Sequence, residues 1–218
     1  MNRFLIIILI SLSYSCVAQT SKRVFKSFDY QGKKISYAIQ LPKDFDSNKT
    51  YPIAVGPSEA KSNDDQSFYW RGVKDTQGWI LLDFPIYEGK ETEVAAFLDY
   101  INSTYNVEGD KFHTICFSAN SASIFRLVMS IPEYFHSITG VAGNPGTRNF
   151  QELTKLKEVK VRFVVGDKDT YWMGAAKDRH SKLLEARVDS EIEIIKDGKH
   201  VLTGLIGAGV IKRMNKLR

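Results

Sequence analysis

Four polar residues stand just beyond short apolar runs, and their types could do acyl-transfer chemistry together. Ser118 follows KFHTICF, Asp167 and Asp169 follow VRFVV, and His200 lies just beyond EIEII in IIKDGKHVLTG. A serine hydroxyl is a poor nucleophile at neutral pH and needs a base to take its proton as it attacks a carbonyl. An imidazole suits that task near pH 7. A carboxylate can then fix the imidazole tautomer and stabilise the imidazolium. Of the four histidines, His200 alone sits in a glycine-flanked loop after the last strand-like run. His113 falls inside a strand-like run and is expected to be packed or hydrogen-bonded; His136 and His180 are expected at the surface. The plainer reading of Ser118 is a helix N-cap, and of Asp167 a turn or cap residue. Ser121 and Ser123 fall a turn into the helix that follows Ser118, away from the corner.

The surrounding runs say how such residues could be held. VFKSFDY (24–30) and KKISYAIQL (33–41) alternate with period two across Gln31-Gly32, which predicts an antiparallel hairpin. YPIAV (51–55) and WILLDF (79–84) are continuous apolar runs, expected as buried strands. KFHTICF (111–117), HSITGVAG (136–143), VKVRFVVGD (159–167) and EIEIIKD (191–197) read as further strands. Helices are expected in QSFYWRGVKDTQ (66–77), TEVAAFLDYINSTY (92–105), ASIFRLVMSI (122–131), FQELTKLK (150–157) and AAKDRHSKLLEARV (175–188), and a final one over 200–217. Strands alternating with helices predict an α/β fold: a mainly parallel sheet with helices on both faces and the antiparallel hairpin at one edge. In such sheets ligands bind beyond the carboxyl ends of the strands. Ser118, Asp169 and His200 all stand there.

The order Ser, Asp, His along the chain, each at a strand end, is that of the α/β-hydrolases, which the sequence resembles from Lys33 onward. The resemblance is carried by the strand–serine–helix stretch TICFSANSA, the G-x-x-D loop Gly166–Asp169, and the G-x-H loop Gly198–His200. It is similar in flavour to small secreted esterases of the polyhydroxybutyrate-depolymerase, feruloyl-esterase and dienelactone-hydrolase kinds. The resemblance implies a serine esterase without a cofactor, with Ser118 as nucleophile, His200 as base and Asp169 as its orienting acid, Asp167 being the competitor. It further implies an oxyanion hole from the backbone N–H of Ala119 and of a residue after YPIAV. Pro57 has no N–H, so that second donor is Ser58 or Glu59. Two positions depart from the family pattern: Cys116 and Asn120 stand where the nucleophile turn usually carries glycine. Cys116 is expected to pack as a small hydrophobe, whereas Asn120 crowds the turn unless it points away or bonds locally. That crowding motivates the alternative of an inactive hydrolase fold used for binding; a peptidase or other acyl hydrolase is a further alternative.

Tyr171 and Trp172 adjoin Asp169 and are the candidate substrate-binding aromatics; Tyr69, Trp70 and Tyr87 could rim a pocket or serve as core. Asp64-Asp65 and Asp167-Asp169 lack a recurring metal-ligand pattern, so no metal is expected. The 218 residues and 43% hydrophobic content suit one domain over 19–218. Residues 1–18 have the layout of a secretory signal peptide: Arg3, an apolar stretch from Phe4 to Leu12, then small residues up to Ala18. Export is therefore expected, with membrane attachment only if Cys16 is lipidated. The formal net charge is +5, with scattered basic residues that do not make a nucleic-acid surface. The partner implied is a small-molecule or carbohydrate-linked ester.

Overall fold

Gln31 and Gly32 both take positive φ, 49° and 78°, the geometry a two-residue hairpin turn demands. They join β1 (Arg23–Tyr30) to β2 (Lys33–Gln40), paired antiparallel from Arg23↔Gln40 to Tyr30↔Lys33. The computed structural model describes residues 21–62 and 64–218; the expected leader and Cys16 lie outside the described residues. Six more strands follow: β3 (Ile53–Pro57), β4 (Ile80–Phe84), β5 (Phe112–Phe117), β6 (Phe135–Val141), β7 (Lys160–Gly166) and β8 (Ser190–Ile195). Among the described residues these eight form one sheet in the order β1-β2-β4-β3-β5-β6-β7-β8, with β3 to β8 parallel. The fold is the α/β-hydrolase arrangement that the sequence implies.

Both faces of the sheet are covered, which is why its central strands are near-continuous apolar runs. Ile53, Val55, Ile80, Leu82, Phe84, Phe163 and Val165 pack under α1 (Glu91–Thr104), α2 (Ser121–Ser130) and α4 (Thr170–Glu185). α3 (Phe150–Leu153) is a short helix ahead of β7. The alternate residues Ala54, Leu81, Ile115 and Val164 face the other way, under Trp70, Trp79, Leu202 and α5 (Ala208–Met214). With all the parallel strands running one way, their carboxyl ends share one rim. Ser118, Asp169 and His200 follow β5, β7 and β8 at that rim.

Two expected helices are mostly replaced by turns. Within 66–77 only Phe68–Trp70 forms a 3-10 turn, which Gly72 ends at φ 69°. Ser67 and Trp70 are drawn instead to a buried carboxylate, that of Asp83. The closing stretch is broken by Gly207 at φ 75°, so that α5 covers only Ala208–Met214. In the same stretch the backbones of Gly204 and Gly209 touch: a Cβ on Gly209 would lie 2.1 Å from Gly204 O. Conversely, α4 starts five residues earlier than its periodicity suggests, because Asp169 caps it through Trp172 N.

His113 is buried, with Nδ1 2.7 Å from Ser137 Oγ and its ring edge-on to Trp79. His136 and His180, expected at the surface, are half-buried and hydrogen-bonded to Leu217 O and Ser190 Oγ. Burial, with smaller contributions from His136, Arg218 and Lys160, holds the His113 pKa at about 3 against its ordinary 6.5. The native state therefore keeps His113 neutral while the unfolded chain takes up its proton below about 6.5. Stability from this site is complete above that pH and is lost as pH falls toward about 3, by up to ~1.4 kcal/mol per pH unit. Thermal melting followed from pH 7 to 4.5 is expected to fall less steeply in His113→Gln than in the wild type.

Candidate active site

β5 runs directly into a sharp corner at Ser118, which sits at φ 53°, a left-handed conformation rare for a residue with a side chain. Such strain persists only where its surroundings hold it, and it marks functional corners. Several bonds hold it here. Asn120 Oδ1 accepts from Phe117 N at 2.8 Å, clasping the residue before Ser118 from the residue two after it. Ser121 Oγ donates to Ser118 O at 2.6 Å and accepts from Asn144 N at 3.1 Å. Gly143 permits this approach, since a Cβ there would meet Ser121 Cβ at 2.6 Å. Of the options open to it, Asn120 thus takes the local bond and closes the turn. Cys116 is buried beneath, and burial alone pushes its thiol pKa up, away from thiolate reactivity.

His200 Nε2 lies 2.9 Å from Ser118 Oγ, and His200 Nδ1 lies 2.6 Å from Asp169 Oδ2. The three side chains expected to act together therefore form one hydrogen-bonded row. Asp169 does two jobs: Oδ2 faces the imidazole while Oδ1 accepts from Trp172 N, the capping bond of α4. Its side chain is 10% exposed, against 41% for that of His200, so the carboxylate is sheltered and the imidazole open to an incoming molecule. Asp167 makes no hydrogen bond to the imidazole among the described residues. Its N–H donates to Ile195 O, and its buried Oδ1 has no partner among the described residues.

Two glycines let the loops carrying this row meet. A Cβ on Gly166 would sit 2.1 Å from Gly198 O, and one on Gly198 would be 2.8 Å from Gly166 Cα. Lys168 N donates to Gly198 O at 2.9 Å across the same contact. The imidazole is flanked by Phe117, whose centroid is 5.1 Å away, and by Trp172 at 6.1 Å and 29°. Tyr171 stands edge-on to Trp172 and is 75% exposed, so the aromatic pair is presented beside His200. Trp70 is core rather than rim, with Nε1 bound to Asp83.

The oxyanion donors expected from the sequence fare differently. Ala119 is exposed and lies in the first turn after the corner, where N–H groups have no intrahelical partner. Ser58 does not offer its N–H: that group donates to Phe84 O at 3.2 Å, continuing the sheet ladder beyond β3. The neighbouring Glu59 N–H has no acceptor among the described residues. Burial and then the carboxylates of Glu59 and Asp65 raise the Tyr87 pKa, and the N–H of the next residue, Glu88, donates to Ser123 Oγ in α2. A cavity of about 140 Å³ opens beside the corner between Pro57, Ser67, Phe68 and Tyr69 on one side and Cys116, Phe117 and Asn120 on the other. Another hollow, of about 340 Å³, is lined by the loop on both sides of His200 and touches none of the three aligned side chains. Among the described residues, no three His, Cys, Asp or Glu side chains converge to hold a metal ion.

Sequence reasoning missed Asp83 and Arg23, which bind the segment facing this cavity. The available signal was a lone carboxylate within the apolar run ILLDF, since a buried charge needs partners.

No protein-family model matches the chain, and neither does any curated protein. Solved structures do. The chain is similar to a thermostable esterase with TM-score 0.62 and 14% identity, covering 81% of this chain and 55% of that one. It thus spans about half the length of that esterase. It is also similar to dienelactone hydrolase from Anabaena variabilis (TM-score 0.63, 15% identity, 91% of this chain and 97% of that one). A third is a serine-to-alanine variant of the feruloyl esterase module from Clostridium thermocellum, complexed with sinapinate (TM-score 0.65, 12% identity, 90% and 86%). These likenesses establish the α/β-hydrolase fold.

The contact between Gly166 and Gly198 gives an expectation of its own. Gly198→Ala should cost ~1–3 kcal/mol through overpacking and part the Asp169 and His200 loops. Loss of a far-downfield imidazole Nδ1–H signal in the proton NMR spectrum, at a temperature where the variant remains folded, would report that separation.

Proposed function

We propose that this protein is an exported serine hydrolase of carboxylic esters, working through an acyl-enzyme. The observation that carries the reading is the row Ser118 Oγ–His200 Nε2 at 2.9 Å and His200 Nδ1–Asp169 Oδ2 at 2.6 Å. In this mechanism Ser118 Oγ attacks the ester carbonyl as its proton passes to His200 Nε2, and Asp169 stabilises the imidazolium so formed. The carbonyl oxygen gains negative charge and is met by the Ala119 N–H, with the Glu59 N–H as second donor. Collapse of the tetrahedral intermediate breaks the bond to the alcohol, which leaves with the proton from His200. Water then repeats the sequence: His200 takes its proton, the acyl group departs as a carboxylic acid, and Ser118 is restored. Tyr171 and Trp172, beside the imidazole that protonates the alcohol, would contact that leaving group.

The likeness to esterases and to a feruloyl esterase module supports a small-molecule ester as substrate. The inactive-binder alternative drew its motive from Asn120, which instead braces the corner. Export rests on the leader-like residues 1–18, with lipid attachment at Cys16 as the variant form of the same route.

A fluorophosphonate probe should label the wild type, and Ser118→Ala should abolish labelling. Asp169→Asn should lower ester hydrolysis by ~10³- to 10⁴-fold, while Asp167→Asn should stay within about threefold, since Asp167 does not touch the imidazole. Failure of the probe to label wild type under conditions that label a control esterase would sink the reading.

A further inference from the structure

Asp83 is the buried charge that this chemistry leaves unused. It lies inside β4, 3% exposed, with three donors on its carboxylate. Arg23 Nε reaches Oδ2 at 2.8 Å; Ser67 N and Trp70 Nε1 reach Oδ1 at 2.8 and 3.0 Å. Arg23, the first residue of β1, extends further. Its Nη1 donates to Ser62 O at 2.9 Å and its Nη2 to Asp65 O at 2.6 Å. Asp65 passes the constraint on: its Oδ2 accepts from Lys61 N at 3.0 Å, and Ser58 Oγ lies 2.9 Å from its Oδ1 and 2.8 Å from its carbonyl oxygen. Ser58 Oγ in turn accepts from Ala60 N at 3.0 Å. In the turn 58–61 the amides of Ser58, Ala60 and Lys61 are therefore all engaged, and Glu59 alone has no acceptor among the described residues. Ala60, at φ 49°, bends the chain sharply just after it.

A buried ion pair is weak evidence of a stabilising role, because desolvation offsets the attraction. Its directional bonds are another matter. Asp83 and the forked guanidinium fix four points of one segment, Ser62, Asp65, Ser67 and Trp70, from two strands. Gly56 lets that segment press against β3, since a Cβ there would lie 2.2 Å from Trp70 Cζ2. We infer that Arg23 and Asp83 are positioning residues that hold residues 58–62 and 64–70 so that the Glu59 N–H serves as the second oxyanion donor. The inference rests on Ser118 being the acylated nucleophile.

The discriminating variant is Arg23→Lys, which keeps the charge beside Asp83 but loses the fork that grips Ser62 and Asp65. Ser58→Ala is its companion: it leaves Arg23 and Asp83 intact and removes the hydroxyl that ties Asp65 and Ala60 N together in the turn. Both are expected to lower kcat for a short-chain nitrophenyl ester, and the rate of fluorophosphonate labelling, by ~10- to 100-fold. KM and the pH profile should stay as in wild type, because substrate contacts and His200 are untouched. A purely structural role would lower the melting temperature and leave the kcat of the folded fraction unchanged. The inference is overturned if both rates stay within twofold of wild type in folded variants, or if KM rises while kcat holds. Should Arg23→Lys fail to fold, Ser58→Ala decides alone. A wild type that is never acylated removes the enzyme reading and this inference with it; acylation unaffected by either variant removes this inference only.

Discussion

The backbone contact between Gly166 and Gly198 is the constraint on which the aligned side chains depend. Asp169 and His200 leave neighbouring strands, but loops from adjacent strands normally stand apart by the width of their side chains. Removing both Cβ atoms lets Lys168 N reach Gly198 O. That brings the Asp169 carboxylate to 2.6 Å from the imidazole and leaves Nε2 aimed at Ser118. Asp169 is fixed independently by capping α4, so the carboxylate does not depend on the histidine for its place. The imidazole then has a carboxylate behind it, a hydroxyl before it and two aromatic rings, Phe117 and Trp172, beside it. The arrangement matches what acyl transfer asks of a base, which must be held in one tautomer yet remain accessible.

Much of this was legible before any coordinates because it is local. Gly-x-x-Asp and Gly-x-His announce close backbone approach, and a serine between an apolar strand and a helix announces a corner. The hairpin, the buried strands and the covered faces follow from alternation and apolar runs. What could not be read were contacts made by single atoms across the sheet. The resemblance offers the N–H of Ser58 or Glu59 by its place after β3, yet a ladder bond to Phe84 O claims that of Ser58. The partners of Asp83 come from β1 and from the 62–70 segment, far apart in sequence, so the carboxylate in ILLDF signalled that partners exist without naming them. The stretch 66–77 is expected as a helix, but its aromatics Tyr69 and Trp70 cover the sheet, and Ser67 N and Trp70 Nε1 donate to Asp83.

The corner at Ser118 also shows how a pattern can be broken in sequence and kept in physics. Glycine two residues after the nucleophile avoids crowding by having no side chain. Asn120 avoids it by turning its side chain back to Phe117 N, so the same atoms that would clash become the clasp. The cost of a left-handed serine, of order 1–3 kcal/mol, is set against that bond and against the Ser121–Asn144 relay. Asn and Gly are thus two answers to one steric problem.

Ser118 and His200 are 82 residues apart, and the imidazole arrives only with the loop after the final strand. Closing a contact of such long sequence separation costs more chain entropy than closing a local one. Until β8 docks at the sheet edge, Ser118 has no base and is an ordinary alcohol. On the proposed mechanism, a chain whose last strand has not yet docked would carry no reactive group, and reactivity would come with completion of the sheet.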